Sequence, residues 1–441
     1  LMTFQRLERN SGQRLAYLQE ADRILVQDAA AVIPLFFYDR IFLIKPNITY
    51  EYPAIGGPRL MVWQTAGTAA PCYVRVSSLP GVTYNDMQTA IDAAQSGDTL
   101  KVAGTCTSVH SRPRRDLTAT GVVTQVAYIA KSLTLQGGYT TTNWLNPNPA
   151  ANPTTLDALS QGRVFYVTGP VNVTLDGFRI TGGTAAGQGG SPFATADAGG
   201  GVYVITATVT FRNNTVFDNI AAGAGGGVYI HRGSATLRAN TFALNRAGWG
   251  GGAYLYENTG ETSQNIFDNN QAADSGGGLY VYGGAVTVDK NVLQHNVAVA
   301  YGGGLSVFQS AAPVSRNIVR FNNAAYGGGA ELNRTGGQWR NNVVADNQAS
   351  VDGSGLYARG ATTHLLHNTL ARNGGGSAVG VYVTQFVPGD IASALMMTNT
   401  ILVDHTVGIS VTAGNALMAD TVLWYNTSIP VAQSPVAVVT V

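Results

Sequence analysis

The chain has 441 residues, 54 of them glycine, with 45% hydrophobic and only 12% charged residues, a net charge of +1 and a mean hydropathy of +0.06. Average soluble domains carry roughly a quarter charged residues, so solvated charged faces are scarce here, while 45% hydrophobic content at near-zero net charge excludes disorder. No basic stripe serves nucleic acid, glycine does not recur every third residue as in collagen, and the longest apolar stretch, Ala29 to Tyr38, is broken by Pro34 and closed by Asp39, too short for a transmembrane segment.

The chain opens Leu1-Met2 into a polar stretch with no apolar signal core, and it is expected to be a piece of a longer protein. Tyr17, Leu18, Ala21, Ile24 and Leu25 make one face of an amphipathic helix, followed by a strand-like run from Val32 to Ile44 ending at Lys45-Pro46. The stretch AYLQEADRILVQDAAAVIPLFFYDRIFLIKPNI, beginning at Ala16, resembles the C-terminal end of family 5 extracellular solute-binding proteins, the peptide receptors of ABC importers. Residues 1–55 are thus expected to be a remnant of such a protein. About sixty residues cannot form a peptide-binding cleft, so no binding residues carry over. Residues 56–71, rich in Gly, Pro, Thr and Ala, read as a linker.

Cys72 and Cys106 are the only cysteines. They can form one disulfide, which fits an exported protein; two unrelated buried thiols are the alternative. Between them, Met87, Ala90, Ile91 and Ala94 share one helical face, ended by Gly97 and followed by a strand, Thr99 to Val102. Irregular strand segments then include Ser132 to Leu135, Gly162 to Val167 and Val171 to Ile180.

From there an internal repeat dominates. A small-residue run ends in glycine at Gly201, Gly227, Gly252, Gly278, Gly304, Gly329, Gly355, Gly380 and Gly408, in steps of 25 to 28 residues. A second register, Asn-x-apolar-x-x-Asn, runs beside it. Its first members are Asn214, Asn240, Asn265, Asn291, Asn317, Asn342 and Asn368, and its second members are Asn219, Asn245, Asn270, Asn296, Asn322, Asn347 and Asn373. After each final glycine, an apolar residue, a mixed residue and a second apolar residue follow, as in Leu279, Tyr280 and Val281. That period of two marks a strand with one face buried. Twenty-five residues hold several short strands but no strand-helix-strand crossover in every unit, so the expected fold is all-β: a parallel β-helix over 72–430 with a tail at 431–441. Glycine at the bends permits positive φ, and Asn at the bends tolerates left-handed backbone and can bond its counterpart one coil away.

GGAY at Gly251, GGGVY at Gly225, FALN at Phe242 and FDNN at Phe267 resemble the GGA and FxxN repeats of bacterial polymorphic outer-membrane and related surface proteins. The whole is similar to right-handed parallel β-helices of the pectin-lyase-like superfamily. The resemblance implies that the Met87 helix caps the open N-terminal coil. Both resemblances imply an extracellular or cell-surface location.

The fold hosts lyases, glycosidases and non-catalytic adhesins alike. Glu331 with Asn333 on its own strand and Arg359 one coil later is the one candidate catalytic cluster, and a surface ion pair is its plainer reading. Asp218, Asp268 and Asp346 read as bend residues, with calcium held at a bend as the alternative. His364 and His367 have an odd spacing that sends them to opposite strand faces, disfavouring a shared metal. No motif implies a cofactor or a metal site. The favoured site is an outward aromatic stripe: Tyr203, Tyr229, Tyr254, Tyr280, Tyr357 and Tyr382, with His231, Tyr256, Tyr282 and Phe308 two residues further on. Exposed aromatic rows suit polysaccharide or cell-surface glycan binding and adhesion; a polysaccharide lyase or glycosidase on the same face is the alternative, and tyrosines merely packing between coils would need no ligand. Membership of an importer solute-binding fusion is a further reading.

Overall fold

The computed structural model describes residues 70–114, 121–191, 196–387 and 390–440, and the backbone of 33–37, 40–44, 48–49 and 64–65. The chain divides into two units, 1–69 and 70–441. In the first, Ile33–Phe37 and Arg40–Ile44 pair antiparallel, so the single run expected from Val32 to Ile44 is two strands. Ile48–Thr49 pairs with Gln64–Thr65, inside the expected linker. The expected helix at Tyr17 to Leu25 lies outside the described residues.

The second unit is a coil of short parallel strands. One turn of it reads Leu279–Tyr282, Ala285–Asp289, Val292–Gln294 and Val297–Ala298, then returns to Leu305–Phe308 in register one coil on. Repeated, these build a thirteen-stranded sheet (the tyrosine sheet), a fourteen-stranded second sheet, a twelve-stranded third sheet and a five-stranded covering sheet. Leu279, Val281, Val286, Val288 and Leu293 point inward and join one apolar column that runs from Cys72 to Ala419, with Gly260 and Thr262 standing in one coil where Val286 and Val288 stand in the next. Phe242 and Phe267 stack inside it at 4.7 Å. Burying each such side chain stabilises by roughly 1.5–3 kcal/mol.

Both asparagine registers are buried ladders. The Asn291 Nδ2 donates to Asn317 Oδ1 and to the Thr262 carbonyl, while its backbone N–H donates to the same Asn317 Oδ1. Its own Oδ1 accepts from Asn265 N–H and Nδ2 at 3.0 Å each. The second register repeats the scheme, for example from Asn296 to Asn322. The left-handed backbone expected of these asparagines belongs instead to the residue before each: Lys290 (φ 54) before Asn291 and His295 (φ 54) before Asn296. Holding a non-glycine residue there costs about 1–2 kcal/mol, which the rung's hydrogen bonds offset.

The N-terminal end is closed. Helix α1, Met87–Ala93, is N-capped by Asp86, which accepts the Thr89 N–H, and buries Met87, Ala90 and Ile91 against the column. Tyr73–Val76 and His110–Pro113 pair antiparallel with the first strands of two sheets and block their edges. Cys72 and Cys106 form a disulfide across this cap. At the other end, the expected tail is strand: Ile429–Gln433 and Val438–Thr440 extend the tyrosine and second sheets. Among the described residues no helix is long and apolar enough to cross a membrane.

After Asn373, the second ladder's next rung is His405, whose Nε2 accepts from Asn373 Nδ2 at 3.3 Å. That bond requires a neutral ring, and burial brings the imidazole down from 6.5 to about 4. Between those values the unfolded chain holds a proton that the folded chain lacks, so stability rises with pH across this window. Acidification from pH 6.5 to about 4 is expected to lower the urea midpoint more in the unmodified chain than in His405→Asn. Parallel losses in the two proteins would contradict this role for His405.

Candidate functional site

The second position of each tyrosine-sheet strand points away from the apolar column, as the period of two requires. The row runs Tyr128, Tyr166, Tyr203, Tyr229, Tyr254, Tyr280, Ser306, Glu331, Tyr357, Tyr382 in register. Neighbouring rings stand 4.8 to 5.7 Å apart, from Tyr254–Tyr280 to Tyr357–Tyr382. The row therefore begins two coils earlier than the glycine repeat suggests. Tyr128 and Tyr166 carry the same apolar-Tyr-apolar signal, in VAYI and VFYV, without the glycines.

The expected exposure of this row is corrected by the structure. Tyr203, Tyr229, Tyr254, Tyr280 and Tyr357 are buried, at 9% exposure or less, and Tyr382 is half-buried. The cause is the segment joining the third sheet to the next tyrosine strand. It runs out, forms the covering sheet (Arg246–Trp249 through Gln348–Asp352), and folds back over the rings. The glycines in it do more than bend the chain. Gly250 and Gly276 have φ of 62° and 67°, and a Cβ on either would lie 2.8 Å from the Cβ of Tyr254 or Tyr280. Only glycine lets the cover close that tightly. The tyrosines are thus a second aromatic core. Burial pushes the phenols of Tyr229, Tyr254 and Tyr280 well above the usual tyrosine range.

What stays half-exposed is the fourth position: His231, Tyr256, Tyr282 and Phe308. His231 meets Tyr256 edge-on at 4.9 Å, Tyr256 and Tyr282 stack at 4.9 Å with 10° between planes, and Tyr282 tilts against Phe308 at 5.2 Å. Only Tyr256 and Tyr282 cover one another's faces; His231, both of whose ring nitrogens are buried, meets the pair edge-on, and Phe308 closes the row at a tilt. An ion pair, Arg232 to Glu257 at 2.6 Å, flanks the row.

Glu331 and Arg359 are brought together, but inside the protein rather than on a surface. Arg359 Nη2 lies 2.8 Å from Glu331 Oε1, Ser306 Oγ donates to Oε2 at 2.6 Å, and Asn333 Nδ2 donates to Oε1 at 3.2 Å. Ser306 and Glu331 occupy two places in the tyrosine row. The room they leave is filled by Arg359, whose guanidinium lies 3.9 Å over the Tyr301 ring. Glu331 is 1% exposed; burial pushes its carboxyl up, against the pull of Arg359 and of the Ser306 hydroxyl. With both oxygens engaged, the pair holds the row together. Asp218 and Asp346 sit at left-handed bends, Asp346 pairing with Arg372 at 2.7 Å. Asp268 bonds His295, His364 bonds Thr398, and His367 occupies a bend. Among the described residues no three His, Cys, Asp or Glu side chains could hold a metal ion.

Residues 151–293 match the family model described as right handed beta helix region. The fold is a right-handed parallel β-helix. No curated protein and no solved structure matches the chain, and the family match leaves residues 1–65 outside it, so the likeness to solute-binding proteins is unsupported.

Removing one member of a buried ion pair strands the other. Arg359→Met is expected to cost about 3–5 kcal/mol in chemical denaturation, and Glu331→Leu combined with Arg359→Met to regain most of it. Additive losses in the double variant would show that the two side chains are not coupled.

Proposed function

We propose that this is a secreted or cell-surface β-helix that binds polysaccharide or a cell-surface glycan without catalysis, in an adhesive role. The observation that carries the reading is the half-exposed row His231, Tyr256, Tyr282 and Phe308 on four successive coils. A linear glycan lying along the coil axis would meet an aromatic side chain at each step of about 4.8 Å. Contact would run through C–H packing on the exposed parts of these rings and through sugar hydroxyls at the flanking Arg232–Glu257 pair. The buried tyrosines beneath serve as a rigid bed, which limits the ordering cost of binding. A disulfide at Cys72–Cys106 is in keeping with an oxidising compartment.

A glycan array probed with the full chain tests this. Binding to at least one extended glycan is expected, and Tyr256→Ala with Tyr282→Ala should reduce it by about tenfold or more, the scale of one or two lost aromatic contacts. Absence of binding, or binding indifferent to both substitutions, would refute the aromatic-row reading. Shortened or unsaturated oligosaccharides after incubation would favour the lyase or glycosidase alternative.

A further inference from the structure

The half-exposed row does not stop at Phe308. In register on the next two coils stand Asn333 and Arg359, only 4% and 9% exposed. A connection longer than its neighbour covers them. Residues 360–363 join one strand of the tyrosine sheet to the second sheet, whereas 385–393 make the same join one coil later. Its described arms are 385–387 and 390–393. From the first arm, the Phe386 ring lies 4.8 Å from the Arg359 guanidinium and 5.6 Å from that of Arg334. From the second, Asp390 pairs with Arg334 at 2.7 Å.

The arms are held lightly, while their feet are fixed. Phe386, Val387 and Ile391 are each more than half exposed, so none of them is seated in an apolar core. Ser393, by contrast, is buried; its hydroxyl donates to the Thr384 carbonyl at 2.6 Å and its N–H to Asn415 Oδ1 at 2.7 Å. Closure also has a cost beneath. Arg359 Nε, Asn333 Oδ1 and Arg334 Nε are buried without a hydrogen-bond partner among the described residues, and such groups oppose the state that buries them. Lifting the arms would let water reach all three, while Glu331 keeps its hold on Arg359 at 2.8 Å. One ion pair between partly exposed side chains contributes little. A cover held by it and by one ring, and opposed by unmet polar atoms, lies near balance between two positions.

We propose that these arms form a cover, hinged where Thr384 and Ser393 meet, that lifts to add Asn333 and Arg359 to the exposed row. Lifted, the row runs over six successive coils from His231 to Arg359 and ends on an amide and a guanidinium in place of rings. A ligand long enough to pass Phe308 would bind the lifted form better and so hold it open. The use of the added residues rests on the row being a binding surface; the motion does not.

The reactivity of Arg359 toward phenylglyoxal, read by peptide mass spectrometry on the full chain, tests the motion. Arg163, fully buried, serves as the internal marker of global unfolding. Asp390→Asn removes the ion pair and is expected to speed modification of Arg359 by about tenfold or more, leaving Arg163 unchanged. The opposite change is also open. A Cβ on Gly360 would lie 3.6 Å from that of Ile391, inside the roughly 3.5–4.5 Å that a disulfide bridges, and both native cysteines are already paired with each other. Gly360→Cys with Ile391→Cys should staple the cover on oxidation, slow modification of Arg359 by about tenfold or more, and recover on mild reduction. The proposal fails if Arg359 reacts at one rate in the unmodified and Asp390→Asn chains, if it reacts only in step with Arg163, or if the oxidised staple leaves it as reactive as before. Should the glycan array find no ligand, the aromatic-row reading falls, while the cover is still decided by Arg359 alone.

Discussion

Each asparagine rung couples three things that a stacked coil must satisfy at once: a sharp bend, a fixed register and a buried backbone with no water to serve it. The carboxamide oxygen accepts twice from the coil before, its Nδ2 donates once to that coil and once to the coil after, and the backbone N–H donates to the coil after, so a rung is complete only when its neighbours are in step. A slip of one residue would turn every inward side chain outward and leave amides such as that of Asn265 buried without a partner. The ladders make such a slip costly, and they permit unusual residues at the left-handed bend position, including Phe321 and Lys290.

Register then decides what the outside of the protein looks like. Once coils repeat in step, equivalent side chains form rows whether or not a row has a use. On the tyrosine sheet the row became a second core, because the outgoing segment of each coil folds back over it and its glycines allow backbone to lie against tyrosine Cβ atoms. Two coils depart from the pattern with Ser306 and Glu331, and Arg359 and Tyr301 repair the gap. The row left half-exposed, from His231 to Phe308, is therefore held on a stiff, doubly packed support.

The strand period, the coil repeat, the capping helix at Met87 and the inward residues were all legible in the sequence, because each repeats or follows a local rule. The fate of the tyrosines was not. Period-two patterning places Tyr254 off the apolar column correctly, yet says nothing about a loop that returns to cover it. A usable signal did exist: from Tyr203 to Tyr280 each tyrosine is preceded by a run of residues too small to keep a ring away, and the small positions Ala272, Ala298 and Ala324 repeat in register within the cover. The burial of Glu331 was hidden for the same reason, since its partner Arg359 and the Tyr301 ring come from different coils.

The dependence of the whole on the asparagine rungs is tested most directly by backbone hydrogen exchange at Asn240, Asn265, Asn291 and Asn317, in the unmodified chain and in Asn291→Ala. Each of the first three donates its N–H to the next rung's side-chain oxygen. In the unmodified chain all four amides should exchange only through global unfolding. In Asn291→Ala, the Asn265 amide should lose protection first, with faster exchange spreading to adjacent coils. Rapid exchange of the four amides in the unmodified chain, or an Asn265 amide indifferent to the loss of Asn291, would contradict the account.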